Sequence, residues 1–311
     1  MVTLRYFASG SFQAVNADVH GMHRMSISRS IHSVSKALCN NINKYIKFTP
    51  QNDLRSVKQG FYDIAKFPNV VGTIDGTLIP IKCPSNNDEL YVCRKGYHAI
   101  NVQVINDHRL ICTDIMTKWP GGTHDSFMWN NSAIQERFAS GEFGDSWLLG
   151  DSGYPCLPFL LTPVLNPQTG GQRNYNQSQR KTRNASERAI GVWKMRFLCL
   201  HAFGGFLMYS PEKCVNIIAA TAILHNICRQ KGIPLMDYQI HENEDDDDNN
   251  HYQIVLQNQR GIDLKMGLKP CLNDKICAKK YSEKYSKNSQ QQRMAAFGSY
   301  YSKISVAYAL I

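Results

Sequence analysis

The chain has no Cys-x-x-Cys pair and no Cys/His group at zinc-finger spacing, although it holds ten cysteines (39, 83, 93, 112, 156, 199, 214, 228, 271 and 277). Scattered thiols of this kind argue against a disulfide framework and suit a reducing compartment. No N-terminal stretch combines the charged and apolar regions of a secretory signal. The longest apolar run, Val215–Ile227, is too short to span a bilayer and is interrupted by Asn216, Thr221, His225 and Asn226. No internal repeat is evident. These absences lead us to expect a soluble protein of the nucleus and cytoplasm.

What is present is a basic, largely globular composition. Of the 311 residues, 43% are hydrophobic and 19% charged, with a net charge of +10. That balance excludes a fully disordered chain and favours an anionic partner. The charge is unevenly spread. Residues 1–240 carry +9, residues 241–250 hold six acids and no base, and residues 251–311 carry +7. The acidic run cannot bury a core. We therefore expect 241–311 to be an acidic run followed by a basic, disordered or loosely helical tail.

Residues 1–48 have a helical pattern. A short helix is expected over Phe12–His20, and a longer one over Met25–Ile46, where Ile27, Ile31, Val34, Leu38 and Ile42 recur at helical spacing. Two short helices and a longer one outline a helix-turn-helix-like region. From 68 to 232 the pattern changes. Strands are expected over Val70–Ile81, Tyr97–Asn106, Arg109–Thr117 and Trp147–Gly150, and Phe159–Leu165 is an apolar segment. Helices are expected over Ser126–Ala139, Gln177–His201 and Pro211–Gln230, the last with proline at its first turn. Strands followed by alternating strand and helix imply an α/β fold, a mixed sheet with flanking helices.

Three carboxylates stand out. Asp75 lies within Val70–Ile79, where an ionised group is costly unless a metal or cation compensates it; yet Asp75-Gly76 between apolar stretches is also a hairpin signal. Asp151 follows the apolar Trp147–Gly150, at the strand edge where α/β sheets bind ligands, though an Asp there can equally cap a turn. Glu187 opens an apolar stripe continued by Ile190, Trp193 and Phe197, while Asn184-x-x-Glu187 resembles a capping box. Taken singly, each has an ordinary structural explanation. Converging on one sheet edge, they would repel one another in a low-dielectric site, and Mg²⁺ or Mn²⁺ would relieve that repulsion.

A series of motifs in order then resembles one family. Val71–Thr77, Tyr91–His98, Trp119-Pro120-Gly121, Ser146–Asp151, Tyr209–Lys213 and Leu224–Ile227 are similar to the PIF/Harbinger transposase superfamily. The similarity is closest to its domesticated, Harbinger transposase-derived nuclease branch, and runs from about residue 4 to about residue 232. It implies a ribonuclease-H-like fold with a DDE site in which Asp75, Asp151 and Glu187 are catalytic and hold divalent metal. It also implies Asp125 as a fourth metal ligand, where an N-cap is the alternative. The resemblance further implies DNA as substrate and a Myb/SANT-like DNA-binding partner. It enters partway through the family's N-terminal helical region, so the helix-turn-helix is expected to be partial. Gly21-Met22-His23 stands where the family often has Gly-Ile-Ser.

The basic residues suit that reading. Arg173, Arg180, Lys181, Arg183, Arg188, Lys194 and Arg196 surround a single acid, Glu187. Arg94, Lys95, Arg180, Lys181, Arg183 and Arg188 are the expected nucleic-acid contacts, holding phosphates without reading bases. Gly150-Asp151-Ser152-Gly153 also resembles a trypsin-like serine segment, but no matching histidine segment and no all-β pattern accompany it. Chemistry and silence remain alternatives: a metal-dependent nuclease, without transposition, or a DNA-binding adaptor that has lost the reaction.

Overall fold

The computed structural model describes residues 1–201 and 205–235, together with short backbone strands between 239 and 266. Residues 2–234 form one compact unit. It opens with three helices, α1 (Val2–Ser9), α2 (Gln13–His20) and α3 (Arg24–Cys39). Gly10 and Gly21 adopt left-handed backbone at the two breaks, which glycine tolerates without Cβ strain. His23 caps α3, its Nδ1 accepting the Met25 N–H at 3.3 Å. The expected helix to Ile46 ends at Cys39, and a separate short helix, α4 (Ile42–Tyr45), follows Asn40-Asn41. Apolar spacing runs through this break, but Asn41 bonds back to Ala37 O and terminates the ladder.

A helix with no counterpart in the sequence reading, α5 (Leu54–Ala65), precedes the sheet and buries Leu54, Val57 and Phe61 along one face. The sheet comprises β1 (Val70–Pro80), β2 (Ala99–Asn106), β3 (Cys112–Pro120), β4 (Trp147–Leu149) and β5 (Leu160–Leu161), with the short α6 (Asp88–Tyr91) before β2. Its order is β3-β2-β1-β4-β5. β1 is central, antiparallel to β2 and parallel to β4, while β5 is parallel to β4. The expected mixed sheet with flanking helices is therefore present, consistent with a DDE endonuclease fold.

Between β3 and β4 the single expected helix is two, α7 (Asp125–Asn130) and α8 (Ala133–Ala139). Ser132 separates them by capping α8, its Oγ accepting the Gln135 N–H. Then come α9 (Gly170–Arg196) and α10 (Pro211–Gln230). The start of α9 lies seven residues before the expected Gln177. Thr169 and Gln172 form a reciprocal capping box there, so Asn184-x-x-Glu187 is mid-helix and not a cap. One core joins α1–α3, α9 and α10 to Ile79, Ile100, Val102 and Val104 of the sheet. Another packs Trp129, Ile134 and Phe138 against Val71, Ile74, Ile105 and Leu148.

His225 of α10 is buried, and its Nε2 lies 2.8 Å from the Leu110 carbonyl. Burial pushes its imidazole down to about 4. A neutral buried histidine must gain a proton on acid unfolding, so its share of stability is full above the ordinary histidine range and is lost as pH falls from about 6.5 to about 4. We expect the urea midpoint of the wild type to decline through that window, and the decline to be shallower in His225→Gln.

A second unit contains β6 (Gln239–Glu242), β7 (Tyr252–Gln257) and β8 (Asp263–Met266), an antiparallel sheet ordered β6-β7-β8. The described parts of the expected tail are thus strands, in keeping with the β-branched and aromatic content of Tyr252–Leu256. Residues 243–250 of the acidic run and all of 267–311 lie outside the described residues.

Candidate active site

The site is built on the middle of β1. Asp75 pairs with Val104, and the register continues unbroken from Thr73–Asn106 to Pro80–Ala99. The hairpin reading of Asp75-Gly76 is therefore corrected. Asp75 and Gly76 stand inside an unbroken antiparallel ladder with β2, which leaves no turn there, while β4 pairs with β1 up to Thr73. The glycine serves space instead: a Cβ on Gly76 would stand 2.5 Å from Asp125 Oδ1. Gly76→Ala must push Asp125 out of place, and we expect a loss of about 10- to 100-fold in Mn²⁺ affinity, read by calorimetry.

Parallel pairing delivers the second carboxylate. Leu149 sits beside Thr73, and the chain leaving β4 brings Asp151 close enough to Asp75 for their charges to interact. Its Oδ1 also accepts the Gly153 N–H at 2.9 Å, so the local turn is real and coexists with the site. Asp125 is the first residue of α7 rather than its N-cap, which is His124. Its Oδ1 accepts from Asn101 Nδ2 at 3.2 Å. A Cβ on Gly153 would meet both Asp151 Oδ1, at 3.1 Å, and Asp125 Oδ2, at 3.5 Å, so these two carboxyl groups flank one glycine.

Glu187 arrives from α9, half exposed, on the edge of the helix and not in its buried stripe of Thr182, Ala185, Ser186, Ala189 and Trp193. Arg183 joins it to the sheet. Nη2 donates to Glu187 Oε1 at 2.6 Å, and Nη1 lies 3.7 Å from Asp75 Oδ2. Arg183 is thus committed to the carboxylates. Arg180, Lys181 and Arg188 are exposed on α9, and Arg94 and Lys95 are exposed ahead of β2.

The electrostatics follow from this placement. Burial raises the Asp75 carboxyl to about 7; Arg183 opposes the shift, Asp151 and Glu187 add to it, and the Gly76 N–H, 2.9 Å from Oδ1, opposes it. Burial also raises Asp125, with Asn101 opposing and Asp151 adding. The buried Tyr154 phenol is driven well up by burial and then by Asp125, Asp75 and Asp151, and its hydroxyl has no hydrogen-bond partner. Lys194 donates to Leu78 O at 3.1 Å; burial, then Lys95, lowers its ammonium to about 8, against the pull of Asp75.

The carboxylates are neighbours but not yet a closed cage. Among the described residues, the one group of three or more Cys, His, Asp or Glu whose ligand atoms all lie within 4.8 Å of one another is Cys83, Asp88 and His98. The donor set of Asp75, Asp125, Asp151 and Glu187 is nonetheless all oxygen, anionic and partly desolvated, which fits a hard divalent cation. In this arrangement the cation facing Asp75 and Glu187 is the guanidinium. Sequence reasoning missed that role for Arg183. Its spacing of four from Glu187 was legible, but the contact to Asp75 depends on how α9 packs on β1.

Comparison with known proteins agrees with the geometry. Residues 74–226 match the family described as DDE superfamily endonuclease. The chain is 37% identical to "Putative nuclease HARBI1" of Mus musculus over 75% of this chain and 67% of that protein. It is 35% identical to the Homo sapiens protein of the same name, with the same coverage. It is 24% identical to "Protein ALP1-like" of Arabidopsis thaliana over 73% of this chain and 59% of that protein. No solved structure matches significantly. The chain belongs to the DDE superfamily endonucleases, on the Harbinger-derived branch that the vertebrate relatives represent.

Proposed function

We propose that this chain is a transposase-derived, divalent-metal-dependent nuclease that hydrolyses DNA phosphodiester bonds. One observation carries the reading: the central strand buries Asp75 without a turn, beside Asp125 and Asp151, with Glu187 joined through Arg183. Mutually repelling, partly desolvated carboxylates cost folding energy that a bound cation would return. Asp75, Asp151 and Glu187 would hold Mg²⁺ or Mn²⁺, with Asp125 as fourth ligand. Bound there, the metal would supply charge neutralisation at the phosphate and activation of water.

The chain's own groups do the rest. Arg94, Lys95, Arg180, Lys181 and Arg188 hold the DNA backbone by charge. Arg183 holds Glu187 beside Asp75 and offsets part of their mutual repulsion. Lys194, already lowered to about 8, takes part as a positive neighbour of Asp75. No covalent intermediate with the protein is needed. Nuclear and cytoplasmic residence, a Myb/SANT-like partner and the loss of transposition belong to the same proposal, on the strength of the family resemblance.

The test is nicking of supercoiled plasmid by the full chain in Mg²⁺, in Mn²⁺ and in chelator, beside Asp151→Ala. Cation-dependent nicking absent from the variant is expected. DNA binding without nicking by the wild type in either metal would overturn the nuclease reading in favour of a silent DNA-binding adaptor.

A further inference from the structure

The tightest ligand cluster lies apart from the four carboxylates. Cys83 Sγ is 3.8 Å from Asp88 Oδ2, and the same oxygen is 3.9 Å from His98 Nε2. All three donor atoms fall within 4.8 Å of one another. A tetrahedral zinc ion with ligand bonds of about 2.0–2.3 Å sets its donors roughly 3.3–3.8 Å apart. The Cys83–Asp88 spacing already matches, the Asp88–His98 spacing needs about 0.6 Å of contraction, and the Cys83–His98 pair closes from within 4.8 Å by side-chain rotation.

The backbone holds this arrangement before any ion is considered. The Ile81 N–H donates to the His98 carbonyl at 2.9 Å, which ties the start of the loop to its end. Val92 and His98 form an isolated bridge, and the Cys93 N–H donates to Tyr97 O at 3.0 Å. Asn87, in left-handed conformation at φ 52°, turns the chain into α6 and presents Asp88. A separate observation points to a ligand. His98 Nε2 is shielded from solvent and has no hydrogen-bond partner, although it faces the Asp88 carboxylate. A shielded imidazole nitrogen without a partner is costly, and a metal bond would satisfy it.

We infer that Cys83, Asp88 and His98 form a site for a borderline transition metal of the zinc class. A thiolate, an imidazole and a carboxylate select Zn²⁺ or Co²⁺ over Mg²⁺, whose preference is for oxygen alone. Cys83 and Asp88 are exposed, so the fourth position opens to solvent. Binding releases the thiol proton to solvent and forms the sulfur–metal bond without any change of oxidation state.

The site has a structural consequence for its loop. Residues 83–98 carry Arg94 and Lys95, and the loop abuts the turn before Asp125. The Gly122 N–H donates to Leu90 O at 3.1 Å, and a Cβ on Gly121 would stand 2.6 Å from Tyr91 O. An ion tying both ends of the loop fixes these two cations beside the carboxylates. This consequence, unlike the site itself, rests on the proposed nuclease reading.

Titration of the metal-free full chain with Co²⁺ tests the site. We expect a thiolate-to-cobalt charge-transfer band that saturates at one equivalent and is displaced by Zn²⁺ but not by excess Mg²⁺. Cys83→Ser should abolish the band, and His98→Gln and Asp88→Asn should weaken Co²⁺ binding at least tenfold. Asp75→Asn should leave the band intact, separating this site from the carboxylate centre whatever becomes of the nuclease reading. Cys83 is exposed, so its serine variant is expected to keep the wild-type melting curve. A band that persists in Cys83→Ser, or no band in the wild type, would overturn the proposal.

Discussion

Asp75→Asn should abolish metal-dependent nicking while making the metal-free protein harder to unfold. The activity loss is expected to reach about a thousandfold or more, since Asp75 would hold the cation whose charge would be worth several kcal/mol at the phosphate. The gain in stability follows from linkage. Asp75 has an ordinary carboxyl value of 3.8 in the unfolded chain and about 7 in the fold. Between those values the folded state binds more protons, so stability falls as pH rises through the window and stays low above it. Three units correspond to about 4 kcal/mol. Asparagine carries no charge to desolvate, so the variant should melt above the wild type at pH 8 in chelator. The gap should close as pH falls toward 4. Adding Mn²⁺ should raise the wild type alone, because only it recovers the cost by binding. Equal melting of the two proteins at pH 8 would remove the electrostatic account of the site.

The second large effect lies far from the carboxylates, in the Leu224-His225-Asn226-Ile227 motif. Asn226 is fully buried. Its Oδ1 accepts the Cys112 N–H at 2.8 Å, and its Nδ2 donates to the carbonyls of Cys112, at 2.6 Å, and Tyr45, at 2.9 Å. One side chain thereby ties α10 to the edge strand β3 and to α4. Asn226→Leu strands three buried backbone groups, at about 1–3 kcal/mol each, so we expect a loss of about 3–5 kcal/mol in urea denaturation. Asn226→Asp should also be destabilised, because it keeps the acceptor but loses both donated bonds. A midpoint shift of less than about 1 kcal/mol in Asn226→Leu would show that water replaces the side chain.

These two residues show what could be read in advance. Asn226 belonged to a recognisable motif, yet its task was hidden, because its partners are 114 and 181 residues away. For Asp75 the local signal pointed the wrong way. Asp-Gly between apolar stretches favours a turn in isolation, and only the long ladder of β1 with β2 overrides it. Helix α10 was legible to both ends because Pro211 marks its first turn and apolar spacing carries it to Gln230. The start of α9 was missed because Gly170-Gly171 reads as a breaker, although Thr169-x-x-Gln172 was the cap in plain view. Helix α5 offered Leu54, Val57 and Phe61 at the right spacing and still passed unnoticed.

The early start of α9 bears on how the protein would measure its substrate. Twenty-seven residues make a rod about 40 Å long. Lys181 stands two turns before Arg188 on the same exposed side, with Arg180 exposed next to it, about 11–12 Å along the axis. One DNA strand advances about 3.4 Å per phosphate, so that interval spans three to four phosphates. Glu187 lies at the far end of the same interval. A strand gripped along this rod would be held in fixed phase with the carboxylates, and the position of the cut would be counted off from the grip rather than read from the bases.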